Sequence, residues 1–109
     1  MHADHQTFID AIAARRRLSV RFFSQKEKKE LVRICAPLDF GPLRGASDGF
    51  DRYHLWQLDR KRKPFSLPLL AADITSFTRL DETFDPADIV TWSFKPKAWH
   101  VPRDWGAFS

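Results

Sequence analysis

Arg52-Tyr53-His54-Leu55-Trp56-Gln57-Leu58-Asp59 is the stretch whose reading decides the fold. It is rich in residues that favour extended backbone, and it runs into Arg60-Lys61-Arg62-Lys63-Pro64, so it predicts a central strand leaving into a turn. Successive strand side chains point to opposite sides, which puts Tyr53, Leu55 and Gln57 on one face and His54, Trp56 and Leu58 on the other. One face is then core, and the other is either core or a recognition surface.

Working outward, 31–40 alternates as a strand, and Pro37 is expected to limit its ladder. Residues 18–24 alternate more cleanly: Leu18, Val20 and Phe22 share a face and Arg21 points away from it. Between these two strands lies a charged connection, residues 25–30. Residues 41–49 hold three of the four glycines and read as the clearest loop. Beyond the basic turn, 65–72 is apolar but broken by Pro68, which favours an edge position or a bent strand, and 73–80 reads as a last short strand.

Helical patterns flank the strands. Phe8, Ile9, Ile12 and Ala13 recur at helical spacing over 5–16, with Asp4 placed to cap the start and Arg15, Arg16 and Arg17 placed at the negative end of the dipole. Asp85-Pro86-Ala87-Asp88 sets a capping residue before a first-turn proline, predicting a short helix that carries Ile89, Val90 and Trp92. The expected division is a domain over 1–92 and an aromatic, proline-bearing extension over 93–109 that packs on the domain or on a partner. Phe94, Trp99, Trp105 and Phe108 stand there among Lys95, Pro96, Lys97, Pro102 and Arg103.

The chain of 109 residues is long enough for one core, and 10 Phe and 4 Trp make that core unusually aromatic. Charge is unevenly spread. Residues 15–63 hold 14 Lys/Arg against 6 Asp/Glu, an excess of eight, while the remainder holds 4 against 8. A basic, strand-rich centre suits phosphate-bearing ligands, although solvated hairpin tips are the favoured account of the cluster 26–29 taken alone. The single cysteine, Cys35, excludes an internal disulfide and a four-cysteine zinc site. With no signal-like start and no apolar run near 20 residues, the chain reads as cytoplasmic.

Catalytic patterns are missing. There is no phosphate-cradling glycine loop and no nucleophile elbow. His2 and His5 are the only close histidine pair, and they sit at a terminus. Asp81/Glu82 and Asp85/Asp88 read as turn and cap chemistry. No enzyme, cofactor or metal is expected.

A first strand closing on Ser24, then Arg33-Ile34-Cys35-Ala36-Pro37-Leu38, Tyr53-His54-Leu55, residues 67–74 leading to Thr78-Arg79-Leu80-Asp81, and Phe84-Asp85-Pro86, together resemble the WYL domain family over about residues 6–90. The resemblance implies a mainly β fold: a small SH3-like, Sm-type barrel of about five strands with an N-terminal helix and a short C-terminal helix or tail. It also implies a ligand-sensing module of bacterial transcriptional regulation or defence, with single-stranded nucleic acid or a nucleotide as partner. The family's name-giving triplet falls on Tyr53-His54-Leu55, its strand arginine on Arg33 and its small polar residue on Ser24. Its later Asp-Arg-Ile step falls on Ala72-Asp73-Ile74, an acid in place of a base. No helix-turn-helix segment precedes the barrel, which argues against reading of duplex DNA by this chain alone.

The ligand set is therefore Arg33, His54 and Arg21 for phosphate, Ser24 beside them, and Tyr53 or Trp56 as a base-stacking platform. Either aromatic has core packing as its commonplace fate. A protein partner or homo-oligomer, joined through strand edges and the aromatic tail, is the competing expectation. The two readings differ on Arg33, which either converges with Arg21 and His54 or is locked to Asp39 or Asp73.

Overall fold

A computed structural model of the chain describes residues 1–91 and 99–109. Five strands, β1 (Arg16–Ser24), β2 (Lys29–Pro42), β3 (Asp51–Gln57), β4 (Ser66–Leu69) and β5 (Ile74–Thr83), form one antiparallel sheet in the order β4-β3-β2-β1-β5. Helix α1 (His5–Ala14) covers one face and a single-turn helix α2 (Pro86–Ile89) follows β5. The sheet is not closed into a barrel: among the described residues no ladder joins β4 to β5.

Strand β2 holds the sheet together because it serves two partners in succession. Its first half pairs with β1, from Ser24↔Lys29 to Leu18↔Cys35, and its second half pairs with β3, from Cys35↔Gln57 to Pro42↔Asp51. This corrects the expectation that Pro37 limits the strand, for β2 continues through Pro42. Pro37 lies past the last residue paired with β1, where an absent N–H removes no bond to that neighbour. Gly41 and Pro42 accordingly belong to β2 and not to the loop. Pro68 sits on the edge strand β4, opposite His54, the first of the two placements its sequence allows.

The core is aromatic and lies between the sheet and α1. Phe8, Ala11 and Ile12 are the helix's buried residues, and Ala13 is exposed, so the apolar stripe is rotated from the predicted one. Tyr53 is fully buried, with the rings of Phe8, Phe40 and Phe77 at centroid distances of 5.0, 4.6 and 5.2 Å. Its hydroxyl accepts the His2 backbone N–H at 3.0 Å and meets His5 Nδ1 at 2.9 Å. A ring that fills a core with a polar tip needs such partners.

Two terminal expectations change. Asp4 occupies the N-cap position but makes no side-chain cap; its carboxylate accepts the Phe77 N–H at 3.1 Å and so ties the helix start to β5. The helix ends at Ala14 with Arg15 left-handed (φ 55°), and Arg16 and Arg17 already belong to β1. These arginines serve carbonyls: Arg15 reaches Asp104 O at 2.9 Å, Arg17 reaches Thr83 O at 2.8 Å and Arg16 reaches Asp81 O. Asp85 does cap α2, accepting the Ala87 N–H at 3.0 Å, and Ile89 and Val90 behind it are buried.

Residues 99–109 pack on the same core. Trp105 is buried and donates its indole N–H to Ile12 O at 2.9 Å, with its ring edge-on to Phe84 at 5.5 Å. The expectations for Trp92, Phe94, Lys95, Pro96 and Lys97 concern positions outside the described residues. No helix among the described residues is long and apolar enough to cross a membrane.

Candidate functional site

The site begins with an irregularity in β2. Strict alternation from Cys35 and Pro37 would send Asp39 into the core. A register shift between Pro37 and Asp39 resets the phase, so that Asp39 pairs with His54 and Phe40 with Tyr53. Bulges re-aim side chains in this way. Asp39 therefore stands on the outer face with His54 and Trp56, while Phe40 turns inward with Tyr53.

The C-terminal segment is fastened to that carboxylate. Asp39 accepts the backbone N–H groups of His100 (3.0 Å) and Val101 (2.9 Å) and the Arg103 guanidinium (3.3 Å). Arg103, whose side chain has no exposed surface, lies over the rings of both Trp99 and Trp105, 4.0 and 4.5 Å from their centroids. Burial draws its pKa down to about 10, and Asp39 opposes that shift, so the guanidinium stays protonated at neutral pH. Arg103 also donates to Val101 O, while its Nη1 has no partner among the described residues.

Held there, Trp99 and His100 form one wall of a largely apolar cavity of about 390 Å³ over the outer face of β3 and β4. His54 and Trp56 form its floor beside their β4 partners Pro68 and Ser66, and Arg44 supplies a cation. His54 Nε2 lies 2.9 Å from the Gly41 carbonyl, the acceptor that fixes which way the imidazole faces. Trp56 is half-buried and stacks at 5.5 Å and 30° on Phe65. Gly41 is required for the wall, because a Cβ there would stand 2.5 Å from His100 Cδ2. A volume of this size, with apolar walls and a few polar groups, has the dimensions of a small-molecule site.

Of the six residues singled out in the sequence, the structure brings together His54 and Trp56. Tyr53, their neighbour in the chain, faces the core and presents no ring surface. Arg21 shares the outer face but is opposite Val32, four residues along β2 from Trp56's partner Ala36, which is roughly 13 Å of strand. It pairs instead with Glu30 at 3.3 Å. Ser24 closes the β1–β2 turn, its hydroxyl accepting the Glu27 N–H at 3.1 Å. Arg33, opposite Val20, belongs by register to the other face and lines a separate concavity with Asp59, Arg60, Lys61 and Arg62. Neither carboxylate named for it is its partner: Asp39 holds Arg103, and Asp73 accepts from Gln25 at 2.9 Å.

Cys35 is buried, and burial raises its pKa far above the usual thiol value, with Asp59 adding to the shift and Arg33 opposing it. Among the described residues no three His, Cys, Asp or Glu side chains gather as a metal site. Sequence reasoning missed Asp39, Arg103, Trp99 and His100. The available signal was a carboxylate inside the apolar run Ala36-Pro37-Leu38-Asp39-Phe40, which demands a partner if buried. Compared with family models, with curated proteins and with solved structures, the chain finds no match in any of the three.

Proposed function

We propose that this chain is a non-catalytic binding module whose ligand is single-stranded nucleic acid or a nucleotide, with a base held in the cavity floored by His54 and Trp56. The cavity is the observation that carries this reading: it combines an aromatic floor for a planar ring with His54 for a ring edge and Arg44 for an adjoining phosphate. The likeness to the WYL family supports a sensing role in bacterial transcription regulation or defence inside the cytoplasm. An SH3-like, Sm-type ancestry is supported by the meander order and by the 3-10 turn, Ala71–Asp73, that alone separates edge strand β4 from edge strand β5.

The test is fluorescence anisotropy of a labelled single-stranded oligonucleotide over a salt series. Binding should weaken steeply as salt rises, and Trp56→Ala should cost about 1–3 kcal/mol of affinity, the usual worth of one stacked base. His54→Ala should weaken binding as well, while Ser24→Ala leaves it unchanged. Absence of binding at low salt overturns the reading. The second reading, self-association, is favoured by the exposed apolar side chains Phe23 and Val32 on the outer face of the β1–β2 hairpin. It would appear as a concentration-dependent mass in sedimentation that salt does not reduce.

A further inference from the structure

The turn between β3 and β4 is more than a charged hairpin tip. Residues Arg33, Asp59, Arg60, Lys61 and Arg62 line an open concavity of about 430 Å³, four cations around one carboxylate. Arg33 comes from β2 and the other three cations from the turn, so the grouping is a product of folding and not of sequence adjacency alone. The turn is fixed where it lies. Beyond the end of β3, Leu58 donates its N–H to Ile34 O at 2.8 Å, and Asp59 Oδ2 accepts the Ile34 N–H at 3.0 Å, which together lay the turn along the free edge of β2. Arg60 Nε closes onto Arg62 O at 2.7 Å, and Gln57 Nε2 reaches Pro64 O at 3.3 Å.

Asp59 therefore spends its carboxylate on a backbone N–H. Among the described residues none of the four cations is in an ion pair, although Arg21, Arg52 and Arg103 elsewhere each have one. The basic run near the β1–β2 turn differs, since Lys26, Lys28 and Lys29 are interleaved with Glu27 and Glu30. Four like charges held together repel one another, and a ligand with several linked negative charges removes that repulsion while releasing counterions. Two further arginines in a pinned turn favour bidentate contact with phosphate over contact with a lone carboxylate.

We infer that Arg33, Arg60, Lys61 and Arg62 form a second binding site, distinct from the cavity over Trp56, for a chain of linked phosphates such as the backbone of single-stranded nucleic acid. The inference does not need a base in the cavity. The two sites would together divide one ligand, the base stacking on one side of β3 and the backbone running along the turn that follows it.

The discriminating probe is inorganic tripolyphosphate, which has phosphates and no base. Titrated into the full chain at low salt and followed by amide chemical shifts, it should move Arg33 and residues 59–62 and leave His54 and Trp56 in place. Arg60→Ala/Arg62→Ala should weaken it at least tenfold, and the charge reversal Lys61→Glu, at an exposed position, should do the same if the double variant is poorly folded. His54→Ala should leave tripolyphosphate binding unchanged. With an oligonucleotide, the double variant should flatten the slope of log K against log salt by about 1.4, two contacts at about 0.7 each. Tripolyphosphate binding without oligonucleotide binding would sink the base reading and keep this one. An oligonucleotide slope indifferent to Arg60 and Arg62, or shifts spread equally over 26–29, would overturn this inference and leave the cavity reading standing.

Discussion

His5 is kept neutral by its surroundings. Its ring lies edge-on to Phe40 at 4.8 Å with Nδ1 on the Tyr53 hydroxyl, and burial, with the positive chain terminus second, lowers its pKa below the ordinary 6.5. The Tyr53 hydroxyl accepts from the His2 N–H and meets His5 Nδ1, and donation of its proton to that nitrogen requires the neutral imidazole. The unfolded chain takes up this proton at higher pH than the folded one, so the associated stability is present above pH 6.5 and is lost as pH falls through the lower folded value. The urea midpoint of the wild type should therefore fall between pH 7 and 5. His5→Gln should show a shallower fall over that window, and equal slopes would remove His5 as the cause. In the sequence the two terminal histidines are visible but purposeless. The missing step is available in principle, since alternation already sends Tyr53 inward and a buried hydroxyl requires partners.

At the scale of the element, β2 decides the site through one misplaced step. Removing the Asp39 carboxylate strands two backbone N–H groups and a buried guanidinium, and breaking a buried ion pair from one side costs about 3–5 kcal/mol. Arg103→Met should cost less, because Met keeps apolar contact with Trp99 and Trp105 and Asp39 keeps its two backbone donors. Urea denaturation of Asp39→Ala beside Arg103→Met checks the order; equal losses would mean that the ion pair, and not the backbone clamp, holds the segment. The strands themselves were legible, because period-two alternation survives in β1 and β3. The shift at Pro37/Asp39 was not, for a bulge leaves almost no trace in composition and reverses the facing of every residue after it. That reversal is why Asp39 looked available to Arg33.

Across the whole molecule, the features that escaped the sequence are those joining distant residues. The hairpins β1–β2, β2–β3 and β3–β4 follow from neighbouring patterns, whereas of the basic centre of the chain only Arg33 joins residues 60–62 at their concavity. The pairing of β5 with β1, the seat of Trp105 on Ile12 and the hold of Asp4 on Phe77 link residues more than fifty positions apart, and local periodicity is silent on them. The sheet order then sets a timetable for folding. Closing a loop of some fifty residues to dock β5 costs roughly 2 kcal/mol more in chain entropy than closing a four-residue turn. The meander from β4 to β1 should form first and β5 should arrive last. Leu31→Ala should slow refolding, whereas Phe77→Leu should leave the refolding rate nearly unchanged and speed unfolding; a φ-value near one at Phe77 would contradict this order. Until β5 docks, the free edge of β1 is open to any other chain that offers a strand. The interval before that last pairing is when crowding and concentration, more than sequence, decide whether this protein folds or aggregates.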